Sequence, residues 1–340
     1  DDEYTVYDRR GHMDMSVFQS CSASKGVSPS GNYIVATRSR VDEAPVGLLL
    51  DRDGKELMVV EKADLSVLPE NWQWPERVMV KSADDSTDIY GVVFRPSDFS
   101  PEKVYPLLDL SFSYSEPVGA FTNNAQGLFQ YMLSVAYTEL GFIVVRFNNR
   151  GDGLRGRAGL RDRTFNAYRD TSLPFHYKAD CVAGIRQLVE RYPYMDGQRV
   201  GVADYVTIPS AISGMFAHPD CYSVGVSFNA MVGDGRFWSR ALYKGEGFPS
   251  FADLAHQLQG KFLMIHGMLD ASMPAAAVFQ VAQALQDANK SFDMLLLPND
   301  EHGGSEYANK RMWDYLVEHL LGETPPADFR LNYFAPECEE

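Results

Sequence analysis

The sequence predicts an α/β fold: a doubly wound, mostly parallel sheet preceded by a short all-β segment. Three observations lead there. From about residue 77 onward, strand-like and helix-like stretches alternate, the pattern that builds parallel sheets through helical crossovers. Residues 105–110 and 141–146 are continuous apolar runs, as strands buried on both faces require. Residues 1–75 instead hold only short β-branched and aromatic runs separated by turn residues. The chain thus divides into a β segment at 1–75, an α/β domain at 76–323 and a tail at 324–340.

Within the β segment, residues 3–7, 15–19, 32–37 and 46–50 read as strands. The Asp-Arg-Asp-Gly stretch at 51–54 is a strong hairpin turn before a further strand at 56–60. Four or five strands without a helix cannot bury two faces, so this segment reads as part of a larger β structure. In the α/β part, residues 127–139 have a helical pattern. Tyr177, Cys181, Val182, Ile185, Leu188, Val189 and Tyr192 then recur at helical spacing. Next come a strand at 199–202, a short helix through Met215, a strand at 223–227, an irregular stretch and a strand at 261–266. Pro274 opens a helix running to about 289, where its missing N–H costs nothing. A strand at 292–297 and a helix at 305–321 follow, the latter stopped by Gly322.

Bulk properties exclude some partners. The formal net charge is −15, a field that repels duplexes and anionic lipid, so nucleic acid and membrane surfaces are not expected. No apolar run reaches the 18 residues a spanning helix needs, and residues 1–5 lack the features of a signal peptide. Arg146, Arg150, Arg155, Arg157, Arg161 and Arg163 form a local basic cluster. It reads as a solvated loop paired with Asp152 and Asp162, or as an anion clamp. Cys181 and Cys221 sit in apolar surroundings and read as buried thiols. The cysteines leave the compartment open between cytoplasmic, periplasmic and secreted. No metal or cofactor is expected.

Function in an open parallel sheet collects at the carboxyl ends of the strands. Asp270 follows the strand at 261–266, and His302 follows the strand at 292–297. Their loops are therefore neighbours at one sheet edge. A carboxylate beside an imidazole fixes its tautomer and stabilises its charged form, and the order acid then base is that of serine hydrolases built on α/β sheets.

Further motifs extend the pattern. The stretch 75–96, Gly-Phe-Ile-Val-Val-Arg-Phe-Asn-Asn-Arg-Gly at 141–151, the helix at 183–193, Asp-Gly-Gln-Arg-Val-Gly-Val at 196–202, His-Gly-Met-Leu-Asp at 266–270 and His-Gly at 302–303 occur in order. Over about residues 70–325 the chain resembles the prolyl oligopeptidase superfamily, and most of all dipeptidyl peptidase IV-like enzymes. The resemblance implies an α/β-hydrolase fold, an Asp270–His302 acid and base, and a serine in a G-x-S-x-G-G elbow after the strand at 199–202. Counting forward places Val206 at the serine; counting back with one deletion places Tyr205 there. Neither is serine. Thr207, Ser210 and Ser213 are the fallback hydroxyls. The resemblance also implies an oxyanion-hole tyrosine near Phe112 and Tyr114, a pocket wall at Trp238 and Tyr243, and a preceding β-propeller of which residues 1–75 would be a remnant.

Three functions compete at this stage. One is a homologue without the serine nucleophile that uses Asp270 and His302 for non-hydrolytic acid/base chemistry, elimination or cyclisation, on a peptide-like or small-molecule ligand. Another is an inactive subunit that binds a protein partner, or a second copy, through the β segment. The last is a peptidase or esterase with a relocated hydroxyl.

Overall fold

A computed structural model describes residues 3–6, 26–66, 68–111, 125–148, 150, 173–205, 210–230 and 251–331. Two sheets are present. The smaller is an antiparallel meander of β1 (Glu3–Val6), β2 (Tyr33–Arg40), β3 (Glu43–Asp51) and β4 (Glu56–Lys62), in that order. The turn at 51–54 closes as the sequence predicts: Asp51 accepts from Asp53 N and Lys55 N through its side chain. The predicted strand at 15–19 lies outside the described residues.

The larger sheet has eight strands. β5 (Glu76–Lys81) and β6 (Asp88–Phe94) form an antiparallel hairpin at one edge. Then come β7 (Tyr105–Asp109), α1 (Ala125–Glu139), β8 (Ile143–Phe147), α2 (Leu173–Arg191), β9 (Met195–Tyr205), α3 (Ser210–Ala217) and β10 (Val224–Phe228). The chain continues through α4 (Phe251–Leu254), β11 (Lys261–Gly267), α5 (Ala275–Asp287), β12 (Asp293–Leu297) and α6 (Glu306–Leu316). The spatial order is β12-β11-β10-β9-β7-β8-β6-β5, with β7 to β12 parallel. This is the α/β-hydrolase fold.

Strand alternation divides the core in two. Leu107, Val200, Val202, Phe262 and Met264 point into a cluster with α2, α3 and α5. Leu108, Ala203, Val226, Leu263 and Ile265 point to the other face, against α1 and α6. Each such Val, Leu, Ile, Phe or Met side chain contributes about 1.5–3 kcal/mol by leaving water, so both faces of the sheet are closed and only its strand ends remain for chemistry.

Three sequence expectations need correction. β9 runs from Met195 to Tyr205 instead of 199–202, because β7 pairs along its start and β10 along its end. The stretch after β10 is not wholly irregular, since α4 and a 3-10 turn at Ala255–Gln257 pack there. Cys221 is only partly buried while Cys181 is fully so, since Cys221 lies in the surface turn after α3. Burial still pushes the Cys221 thiol up to about 12.

Candidate active site

The parallel pair β11 and β12 brings two loops together, with Gly267 opposite Leu297 at the strand ends. Backbone bonds sew the loops: Met268 N to Leu297 O at 2.9 Å and Leu269 N to Asp300 O at 3.0 Å. Gly267 permits that approach. A Cβ there would stand 2.5 Å from Asp300 O and 2.7 Å from Glu301 O, closer than real Cβ atoms come.

Asp270 and His302 meet in this corner. Asp270 is buried; its Oδ1 accepts from Ser272 N and Met273 N, each at 2.8 Å. Its Oδ2 accepts from His302 Nδ1 at 2.9 Å. Two amides hold the carboxylate and the carboxylate holds the ring, so the proton sits on Nδ1 and Nε2 is left as the basic atom. The His302 side chain is 37% exposed, which leaves it open to a ligand. Below it lies His266, buried, with Nε2 donating to Met273 O at 2.8 Å. Burial holds its pKa below the ordinary histidine value.

The β9–α3 connection is where the elbow would stand. Tyr205 is the last strand residue, opposite Phe228. It is buried, and its hydroxyl lies 2.8 Å from that of Tyr137 in the core. Tyr205 is therefore the end of the sheet strand, with its side chain in the core. Ser210 is buried and donates to Ser111 O at 2.9 Å, and Ser213 donates to Ser210 O at 3.0 Å. Neither bonds to His302. Val206, Thr207, Phe112, Tyr114, Trp238 and Tyr243 lie outside the described residues.

Asp204, which sequence reasoning passed over, is fully buried at this connection. It accepts from Ala211 N at 2.7 Å, Ser227 Oγ at 3.0 Å and Phe228 N at 3.1 Å. Burial pushes its pKa up to about 7 despite those donors. A second missed group lies under β7: Lys178 Nζ is 2.6 Å from Asp109 Oδ2, both without solvent exposure. Tyr222 OH donates to the same oxygen at 2.7 Å. Burial works against the Lys178 charge, but Asp109 more than offsets it and holds the ammonium above its ordinary range.

Of the basic cluster, Arg146 and Arg150 lie among the described residues. Arg150 forks onto Asp180, with Nε–Oδ2 and Nη2–Oδ1 both at 2.7 Å, and reaches Asp84 at 2.7 Å. It ties the β5–β6 turn to α2; Asp152 and Asp162 lie outside the described residues. Among the described residues no group of three or more His, Cys, Asp or Glu could hold a metal ion, and no helix is long and apolar enough to cross a membrane.

Comparison with known proteins agrees with this geometry. Residues 234–323, which include Asp270 and His302, match the model of the prolyl oligopeptidase family. Dipeptidyl peptidase 8 of Homo sapiens is 23% identical over 262 residues, covering 68% of this chain and 27% of that protein. Prolyl endopeptidase FAP of Bos taurus is 21% identical over 297 residues, covering 81% and 37%. The chain thus spans about a third of the length of such relatives. Among solved structures, a provisionally assigned dipeptidyl aminopeptidase IV from Bacteroides ovatus superposes with a TM-score of 0.71 at 22% identity, over 95% of this chain and 43% of that one. Dipeptidyl peptidase 4 of Porphyromonas gingivalis gives 0.65 at 21%, over 85% and 42%. The matched segment carries the Asp270–His302 corner, and the superpositions extend the likeness to the α/β-hydrolase fold of the chain.

Proposed function

We propose that this chain is a dipeptidyl-peptidase-like hydrolase homologue that works without an elbow serine and uses Asp270 and His302 for non-hydrolytic acid/base chemistry. The observation that carries the reading is the intact acid–base pair: a buried carboxylate held by two amides, aligned on the Nδ1 of a solvent-accessible imidazole. Such a pair needs no serine to move a proton. His302 Nε2 takes a proton from an acidic C–H or N–H of a peptide-like or small-molecule substrate, and Asp270 stabilises the imidazolium. The resulting anion collapses by elimination or ring closure, breaking the bond to a leaving group that departs with the electron pair, and the imidazolium delivers its proton to that leaving group.

The elbow supports the same reading. Val206 stands at the serine position by forward count, and the hydroxyls of Ser210 and Ser213 are spent on backbone carbonyls. Loss of the nucleophile from a serine triad lowers turnover by about a millionfold. A fluorophosphonate probe is therefore expected to leave the protein unlabelled, and His302→Ala is expected to abolish turnover of the true substrate. Stoichiometric labelling of Thr207, Ser210 or Ser213 would overturn this reading in favour of a relocated nucleophile, and turnover that survives His302→Ala would remove the acid/base role.

A second reading, a subunit that binds another chain through the β segment, is favoured by one observation. Every residue of β4 is exposed, along an edge that among the described residues pairs with β3 alone.

A further inference from the structure

We infer that Asn229 is a positioning residue that sets the geometry of Asp270 against His302 from outside the pair. The inference rests on reading that pair as the working acid and base. Asn229 follows β10 directly and is fully buried, with a backbone φ of 44°. This left-handed region costs an ordinary side chain free energy and is tolerated mainly by glycine, asparagine and aspartate.

What the residue gains there is a tie between three strand ends. Its Nδ2 donates to Glu301 O at 3.1 Å and to His302 O at 2.8 Å. Its Oδ1 accepts from Gly267 N at 2.8 Å. Its own backbone N–H continues the sheet by donating to Ile265 O at 3.0 Å. Both side-chain donor hydrogens and one acceptor site are thus used. Gly267 stands three residues before Asp270, and the His302 carbonyl belongs to the base itself. One amide therefore fixes the loop carrying the acid relative to the loop carrying the base. The remaining side of the base loop is packed by the neighbouring residue of β10: a Cβ at Gly304 would fall 1.9 Å from the Phe228 ring. The end of β10 acts as a template for the corner without contributing a reacting atom.

The experiment reads the pair directly, with no substrate. In the parent protein the His302 Nδ1 proton, shared with Asp270, is expected as a slowly exchanging downfield proton line, assigned by its disappearance in His302→Ala. Asn229→Gly keeps the left-handed backbone and deletes the tie. Asn229→Asp keeps the size and the acceptor for Gly267 N but turns an oxygen toward two carbonyls, and it carries the test if the glycine variant does not fold. Both are expected to speed exchange of the Nδ1 proton by roughly tenfold or more, the scale of one buried hydrogen bond lost. Asn289→Gly replaces another left-handed asparagine, φ 53°, beyond α5, and is expected to leave the line as in the parent. Exchange as slow in folded Asn229→Gly or Asn229→Asp as in the parent overturns the inference. So does equal acceleration by Asn289→Gly, which would mean general loosening. Failure of the underlying reading is separate: it shows as turnover surviving in His302→Ala, whatever the proton line does.

Discussion

Asp204 is fully buried, and among the described residues no basic side chain hydrogen-bonds to it. Its folded-state pKa of about 7 lies above the 3.9 or so of an unfolded aspartate. The native state thus holds more protons than the unfolded state between about pH 4 and 7, and stability contributed by the protonated form is lost as pH rises through that window. The loss is on the order of a few kcal/mol. Other carboxylates titrate in the opposite sense; against burial, Asp196 is held below its ordinary value by Arg199, and Glu76 by the Tyr192 hydroxyl and then Arg95. The clean measurement is therefore a difference. Denaturant unfolding of Asp204→Asn minus parent is expected to move in favour of the variant from pH 5 to pH 8. A difference that stays flat with pH would show that Asp204 does not titrate as its burial implies. At this scale the sequence was legible where residues obey a strand-end rule, as Asp270 and His302 do. Asp204 and Asn229 escaped because their roles depend on a cap spanning seven residues and on a left-handed bend, neither of which leaves a spacing signal.

Elements were legible where both faces are buried, because an apolar run or a helical period survives without knowledge of neighbours. β7, β8, β11 and α2 fall close to where periodicity places them. β9 was underestimated because Asp196, Gly197 and Gln198 carry no apolar signal; only the pairing with β7 makes them strand. The same strand-to-helix layer holds the Lys178–Asp109–Tyr222 group, which ties α2 to the end of β7 and to the turn before β10. A buried pair broken on one side leaves a charge without its partner, at a cost of about 3–5 kcal/mol. Lys178→Met is expected to lose that much in urea unfolding, and Lys178→Met with Asp109→Asn to recover most of it. A single variant within about 1 kcal/mol of the parent would mean that Tyr222 and Ser111 N suffice for Asp109.

On the scale of the whole molecule the two sheets are unequal. The α/β sheet is covered on both faces, whereas the buried hydrophobic cluster described for the small sheet is Ala36, Leu48 and Leu50, with Ile34 and Val46 beside them. Its outer row is apolar: Val35, Leu49 and Met58 stand opposite one another across β2, β3 and β4. On β4, Met58 is 53% and Val60 56% exposed. An open edge with apolar side chains is a site for strand addition unless something covers it. The net charge of −15 opposes contact between copies at low ionic strength, and salt screens that repulsion within about 10 Å at 0.1 M. Sedimentation of the purified chain is therefore expected to show association that grows with salt. Met58→Lys with Val60→Lys is expected to abolish it while leaving the fluorophosphonate result and the His302 proton line unchanged. A monomer at low and high salt alike, in both parent and variant, would remove self-pairing through β4 and leave only a chemically different chain as its partner.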